Sequence, residues 1–135
     1  METVAPYYKY DVNSEDFTAR MLNKLARVCR SENDKWWKDP ATGEPLNRNR
    51  GELLMLIVSE IAEAMEGERK NLMDDKLPHR PMAEVELADA LIRIFDYAGG
   101  FGYDIGGAFV EKMAYNSTRK DHTAAERLKE NGKKF

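Results

Sequence analysis

The chain has 135 residues, 42% of them apolar and 33% charged, with a net charge of −3. That suits one domain over residues 1–135 with a single core at about 14–122, and the interspersed charges argue against a dedicated nucleic-acid binder. No apolar run approaches the ~20 residues of a membrane span.

The lone Cys29 cannot form an intrachain disulfide, and no signal-like apolar stretch follows the N-terminal "METVAPYYKYD". A cytoplasmic protein is expected. Cys29, His79 and His122 have no finger-like spacing, so structural zinc is not expected.

In chain order, Ser14 is placed to cap a first helix whose apolar positions Phe17, Met21, Leu25 and Val28 recur at three- and four-residue steps. From Asn33 to Asn49 the text "NDKWWKDPATGEPLNRN" reads as a long loop, with Trp36 and Trp37 side by side. A second helix over about Gly51 to Asn71 is apolar on so many sides that burial on most of them is expected.

"DDKLPHRP" breaks that pattern, and Pro81 opens a third helix through Val85, Leu87, Ala88, Leu91, Ile92 and Phe95, stopping near Gly99-Gly100. Asp104 is placed to cap a fourth helix, in which Gly106 and Gly107 permit close approach of a neighbouring backbone. Thr123 with Glu126 forms a capping box before a short last helix. Strand alternation is absent, so the expected fold is an all-α bundle of four to five helices with antiparallel long core helices.

Two acidic pairs interrupt the apolar stripes. Glu60 and Glu63, spaced i, i+3, share one helical face, and Glu86 and Asp89 repeat that geometry on the next long helix. If the helices are antiparallel neighbours, four carboxylates converge. Two charges 4 Å apart repel by ~4 kcal/mol even at an effective dielectric of ~20, so such a cluster calls for a cation. Mg²⁺ fits, because it takes a few carboxylates and completes its shell with water and substrate phosphate. On the fourth helix Lys112, Asn116 and Arg119 fall on one face, and their side chains suit phosphate oxygens and a sugar.

The order "E60-I-A-E63", a gap of 22 residues, "E86-L-A-D89", then "K112-M-A-Y-N116-S-T-R119" resembles the MazG-type all-α nucleoside triphosphate pyrophosphohydrolases. The likeness spans about Gly51 to His122, and the wording is most similar to compact single-domain members of phages and bacteria. It implies that Glu60, Glu63, Glu86 and Asp89 hold Mg²⁺ or Mn²⁺, and that Lys112, Asn116 and Arg119 contact phosphates and sugar. It further implies hydrolysis of a (deoxy)nucleoside triphosphate to the monophosphate and pyrophosphate. A homodimer or homotetramer would help to build the site, in the host cytoplasm if the chain is phage-encoded. A purine deoxynucleotide, dGTP first, is expected on this likeness alone.

In the expected reaction Lys112 and Arg119 offset charge on the triphosphate and leaving pyrophosphate, and one carboxylate, with Glu63 as the candidate, orients the attacking water. Asp96, on the Asp89 face, is expected to pair with Arg93 or Lys112, and Glu66 to pair with Arg69 and Lys70. Arg80, with Lys76 and His79, lies in the linker, within reach of a phosphate or in solvent.

Trp36 or Trp37, with Trp37 preferred, is the candidate wall for a nucleobase, the alternative being that both pack inside. Asn33, Asn47 and Asn49 either read base edges or serve turns. A di-iron bundle would need Glu-x-x-His pairs that the chain lacks. Stepwise phosphate removal through the diphosphate and a non-catalytic helical interaction module remain as alternatives.

Overall fold

A computed structural model describes the backbone of residues 12–135 and the side chains of residues 17–135. Five α-helices account for most of it: α1 (Val12–Glu32), α2 (Arg50–Lys70), α3 (Met82–Gly100), α4 (Ile105–Ser117) and the short α5 (Ala124–Arg127). Single 3₁₀ turns at Asp34–Trp37 and Lys120–His122 complete the order, and among the described residues no strand forms beyond two isolated bridges. The fold is all-α. No described helix is long and apolar enough to cross a membrane. The stretch "METVAPYYKYD" lies outside the described residues.

The caps expected at Asp104 and Thr123 form where the sequence places them, and Asn49 supplies a further one. Asn49 accepts from the Glu52 amide at 3.0 Å to start α2, Asp104 accepts from Gly107 at 2.8 Å to start α4, and Thr123 accepts from Glu126 at 3.4 Å to start α5. Each satisfies an amide that has no partner within its own helix. Helix α1 starts at Val12, ahead of Ser14, whose side chain is outside the described residues.

Helix α3 is the centre of the molecule, packed against α2 on one side and α1 on the other. The α2–α3 pair is antiparallel: Gly67 near the end of α2 abuts Met82 and Ala83 at the start of α3, while Glu60, farther back on α2, meets Arg93 farther along α3. Asp74 folds the linker by accepting from the Lys76 and Leu77 amides at 2.9 and 2.6 Å.

Between α1 and α3 lies a small core of Ala26, Phe95 and Ala98, with Leu22, Cys29 and Ile105 against it. Helix α3 ends at Gly100, as expected, and Gly99 also serves packing, since a Cβ there would stand 2.6 Å from the Ala26 carbonyl oxygen. The glycine pair is there for close packing, and the chain turns only at Gly102, where φ is +70°.

Helix α4 packs on α1 and makes at most marginal contact with α2 and α3. A Cβ at Gly106 would fall 2.0 Å from the Ala19 carbonyl oxygen, so the close approach expected of this glycine is realised. Asn23 locks the junction, donating to Asp104 at 2.7 Å and accepting from the Gly106 amide at 2.8 Å.

Helix α2 departs from its expected burial. Its buried residues are Glu60, Ala64 and Gly67, whereas Leu54 (47%), Val58 (53%), Ile61 (46%) and Met65 (56%) are exposed in one stripe. A single chain supplies α2 with one packed neighbour, and one neighbour covers one face.

Candidate metal centre and adjoining cavity

Glu60, Glu63 and Glu86 each offer a carboxylate oxygen, and all three oxygens lie within 4.8 Å of one another. The i, i+3 spacing sets Glu60 and Glu63 on the α2 face turned to α3, and the antiparallel register brings Glu86 opposite them. Asp89 stands one turn along α3 from Glu86, close enough for its charge to act on both Glu63 and Glu86. The structure thus gathers three of the four expected ligands tightly, with the fourth beside them.

The electrostatics divide the cluster. Burial pushes the Glu60 carboxyl up, but hydrogen bonds with Arg93, Glu63 and Glu86 outweigh it and leave Glu60 below its ordinary value. Glu63 is held above its ordinary value by sharing a hydrogen bond with Glu60, and then by burial. Burial, followed by the hydrogen bond to Glu60 and the neighbouring carboxylates, pushes Glu86 up to about 7. Asp89 is raised too, by burial and then by the charge of Glu60. Three of the four carboxyls are thus harder to ionise than usual, and Glu60, which Arg93 pairs, is the exception.

One cation is already at hand. Arg93 Nε donates to Glu60 Oε1 at 2.6 Å. Glu60, Asp89 and Arg93 also form one wall of a cavity of about 410 Å³, a volume within the range of small-molecule pockets. Asp96 continues that wall, Leu53, Leu56 and Ile92 supply apolar surface, and Asn33, Trp36 and Arg48 from the long loop close it.

The two tryptophans take different positions. Trp36 is 60% exposed at the cavity edge; Trp37 is buried, with its indole N–H on Asp96 at 3.0 Å and its ring edge-on to Phe101 at 5.4 Å. The expected preference for Trp37 is therefore corrected: the indole that lines the cavity is Trp36, with Lys35 over its ring at 5.2 Å, while Trp37 fills the niche left by Gly100, where a Cβ would lie 2.2 Å from its ring. Asp96 takes the Trp37 N–H as its partner in place of Arg93 or Lys112. Asn33 serves the turn, donating to the Cys29 carbonyl at 2.9 Å.

Lys112, Asn116 and Arg119 are not brought to the acidic cluster within one chain, because α4 is carried by α1. Lys112 lies over the Tyr115 ring at 4.8 Å, and Arg119 grips Asp121 through two hydrogen bonds of 2.9 and 2.6 Å. The Asn116 Oδ1 atom is buried without a hydrogen-bond partner among the described residues. Arg80 pairs with Glu84 at 3.1 Å and does not line the cavity. Glu66 is paired with Arg69 and Lys70, as its spacing suggests.

Arg93 and Arg48 are the cavity cations that sequence reasoning passed over. For Arg93 a signal existed: Glu86, Asp89, Arg93 and Asp96 occupy i, i+3, i+7 and i+10 and so share one face of α3. Arg48 carries no such signal, since its position depends on how a long loop folds back.

No family model matches the chain, and no curated protein or solved structure matches it either.

Proposed function

We propose that the chain is a MazG-like all-α pyrophosphohydrolase that cleaves a (deoxy)nucleoside triphosphate to the monophosphate and pyrophosphate. The observation that carries this reading is the meeting, at one place, of a three-carboxylate cluster and a nucleotide-sized cavity with arginines and an exposed indole on its walls. The reading takes a purine deoxynucleotide such as dGTP as the first substrate to try.

The donor set fits Mg²⁺ or Mn²⁺. It is all oxygen and rich in negative charge, and a guanidinium already rests on Glu60 as a stand-in cation. Glu60, Glu63 and Glu86 would hold the ion, with Asp89 as the adjoining ligand. When bound, the ion supplies charge screening for the phosphates and acidifies a water.

The chain's own residues do the rest. Glu63, raised above its ordinary value and the most exposed of the three, is the carboxylate suited to accept a proton from the attacking water. Trp36 offers a stacking face for the base, and Arg48 and Arg93 bring positive charge to the cavity.

A second copy completes the site in this reading. The exposed apolar stripe of α2 calls for a helical partner, and Lys112, Asn116 and Arg119 lie too far round the molecule to serve their own chain's carboxylates. A homodimer or homotetramer would bring these side chains in from the partner. Glu63→Gln and Asp89→Asn should each abolish turnover while leaving the helical circular dichroism intact, in a panel of (d)NTPs with Mg²⁺ or Mn²⁺ resolved by chromatography. Full turnover in both variants sinks the reading, and diphosphate accumulation replaces one-step cleavage by stepwise removal.

A further inference from the structure

The geometry points to Arg93 as a residue that exchanges partners: it is the counter-ion of Glu60 in the metal-free protein and a phosphate-binding cation in the loaded one. This rests on the pyrophosphohydrolase reading and adds to it a role for a side chain outside the ligand set and the α4 triplet.

Arg93 is placed for both partners. Its Nε is engaged by Glu60, the most buried carboxylate of the cluster, while the side chain as a whole remains 41% exposed and lines the cavity. Its terminal nitrogens make no hydrogen bond among the described residues and lie in reach of the fields of Asp89 and Asp96. Of the cavity's two arginines, Arg48 is fixed by donating to the Trp36 carbonyl at 2.6 Å, whereas Arg93 is held by a carboxylate that a divalent ion would claim.

The exchange follows from charge. One Glu60 carboxylate cannot serve a guanidinium and a divalent ion at full strength, and the two cations repel across it. The helix fixes the Arg93 backbone, and the displaced guanidinium can turn along the cavity wall that its side chain already lines. An anionic ligand bound there offers it phosphate oxygens in a geometry that suits its planar fork. Metal loading would thereby release the cation that the triphosphate needs.

The test is a pair of binding measurements with opposite expected signs. In Arg93→Met, the dissociation constant for Mn²⁺ alone should fall several-fold, because a competitor for Glu60 is gone. The dissociation constant for an α,β-imido nucleotide in the presence of Mn²⁺ should rise on the order of tenfold, the worth of a lost charge-assisted hydrogen bond. Arg93→Lys should fall between Met and wild type on both scales, and helical circular dichroism confirms that both variants fold.

Unchanged or weaker Mn²⁺ binding in a folded Arg93→Met overturns the exchange and leaves the parent reading standing, as does unchanged nucleotide binding. Failure of the wild-type protein to bind Mn²⁺ at all overturns both.

Discussion

At the scale of single residues, burial and charge give the site its character. Glu86, pushed from 4.5 up to about 7, is more basic in the folded chain than in the unfolded one. The stability it contributes is complete below the ordinary carboxylate value of 4.5 and is lost as pH rises through about 7. Glu63 and Asp89, also raised, act in the same sense, and Glu60, held down, opposes them. Melting in the presence of a chelator should therefore fall across that window. Mn²⁺ at ~100-fold over its dissociation constant should restore about 2.7 kcal/mol at the alkaline end. A chelated protein whose melting temperature is flat over the same range contradicts the account.

The tryptophans separate by position in the same way. Trp37→Ala removes a buried ring and strips Asp96 of its donor, so a loss of about 3–5 kcal/mol in denaturant unfolding is expected. Trp36→Ala should change stability by less than about 0.5 kcal/mol. It should weaken nucleotide binding by about 1–3 kcal/mol, a difference that titration calorimetry resolves.

At the scale of elements, the helices and caps could be read from the text, because apolar periodicity and capping residues act within a few positions of each other. Their junctions could be read only in part. Gly106 was legible as a contact point, and the structure identifies its partner as the α1 backbone at Ala19. Gly106→Ala would gain about 1 kcal/mol of helix propensity. The added Cβ, 2.0 Å from a carbonyl oxygen, can be accommodated only by parting α1 from α4, and overpacking of this kind costs ~1–3 kcal/mol. A net loss of melting temperature is the expected outcome, and a gain would show that the junction yields freely.

Gly99 and Gly100 show the limit of such reading. A double glycine at a helix end has the form of a stop signal, and α3 does end at Gly100, but the pair also admits the α1 backbone and the Trp37 ring. The sequence carries the small size of these residues but not what approaches them. The 33–49 loop is similar: the Asp39 turn, with amides of Ala41 and Thr42 on its side chain, is local, while the assignment of one indole to the core and one to the cavity is not.

At the scale of the whole molecule, burial is inverted on α2, which covers a glutamate and leaves Leu54, Val58, Ile61 and Met65 open. An apolar stripe of that extent is ordinary for a helix in a bundle and unusual for a free surface. Light scattering should find the chain as a dimer or larger assembly, with a melting temperature that rises with concentration. Val58→Glu combined with Met65→Glu should shift it towards monomer. A wild-type chain that is monomeric and stable at micromolar concentration would remove the need for a partner.

What the sequence determined by itself was local: a bundle of four to five helices, the caps at Asp104 and Thr123, and the i, i+3 pairing of Glu60 with Glu63 and of Glu86 with Asp89, since each depends on spacing along one helix. What only tertiary structure decided was which faces meet. Packing set Arg93 on Glu60, Trp36 rather than Trp37 at the cavity, and α4 with its Lys112 and Arg119 on α1. Those outcomes depend on the relative placement of helices, which no single helix's periodicity encodes.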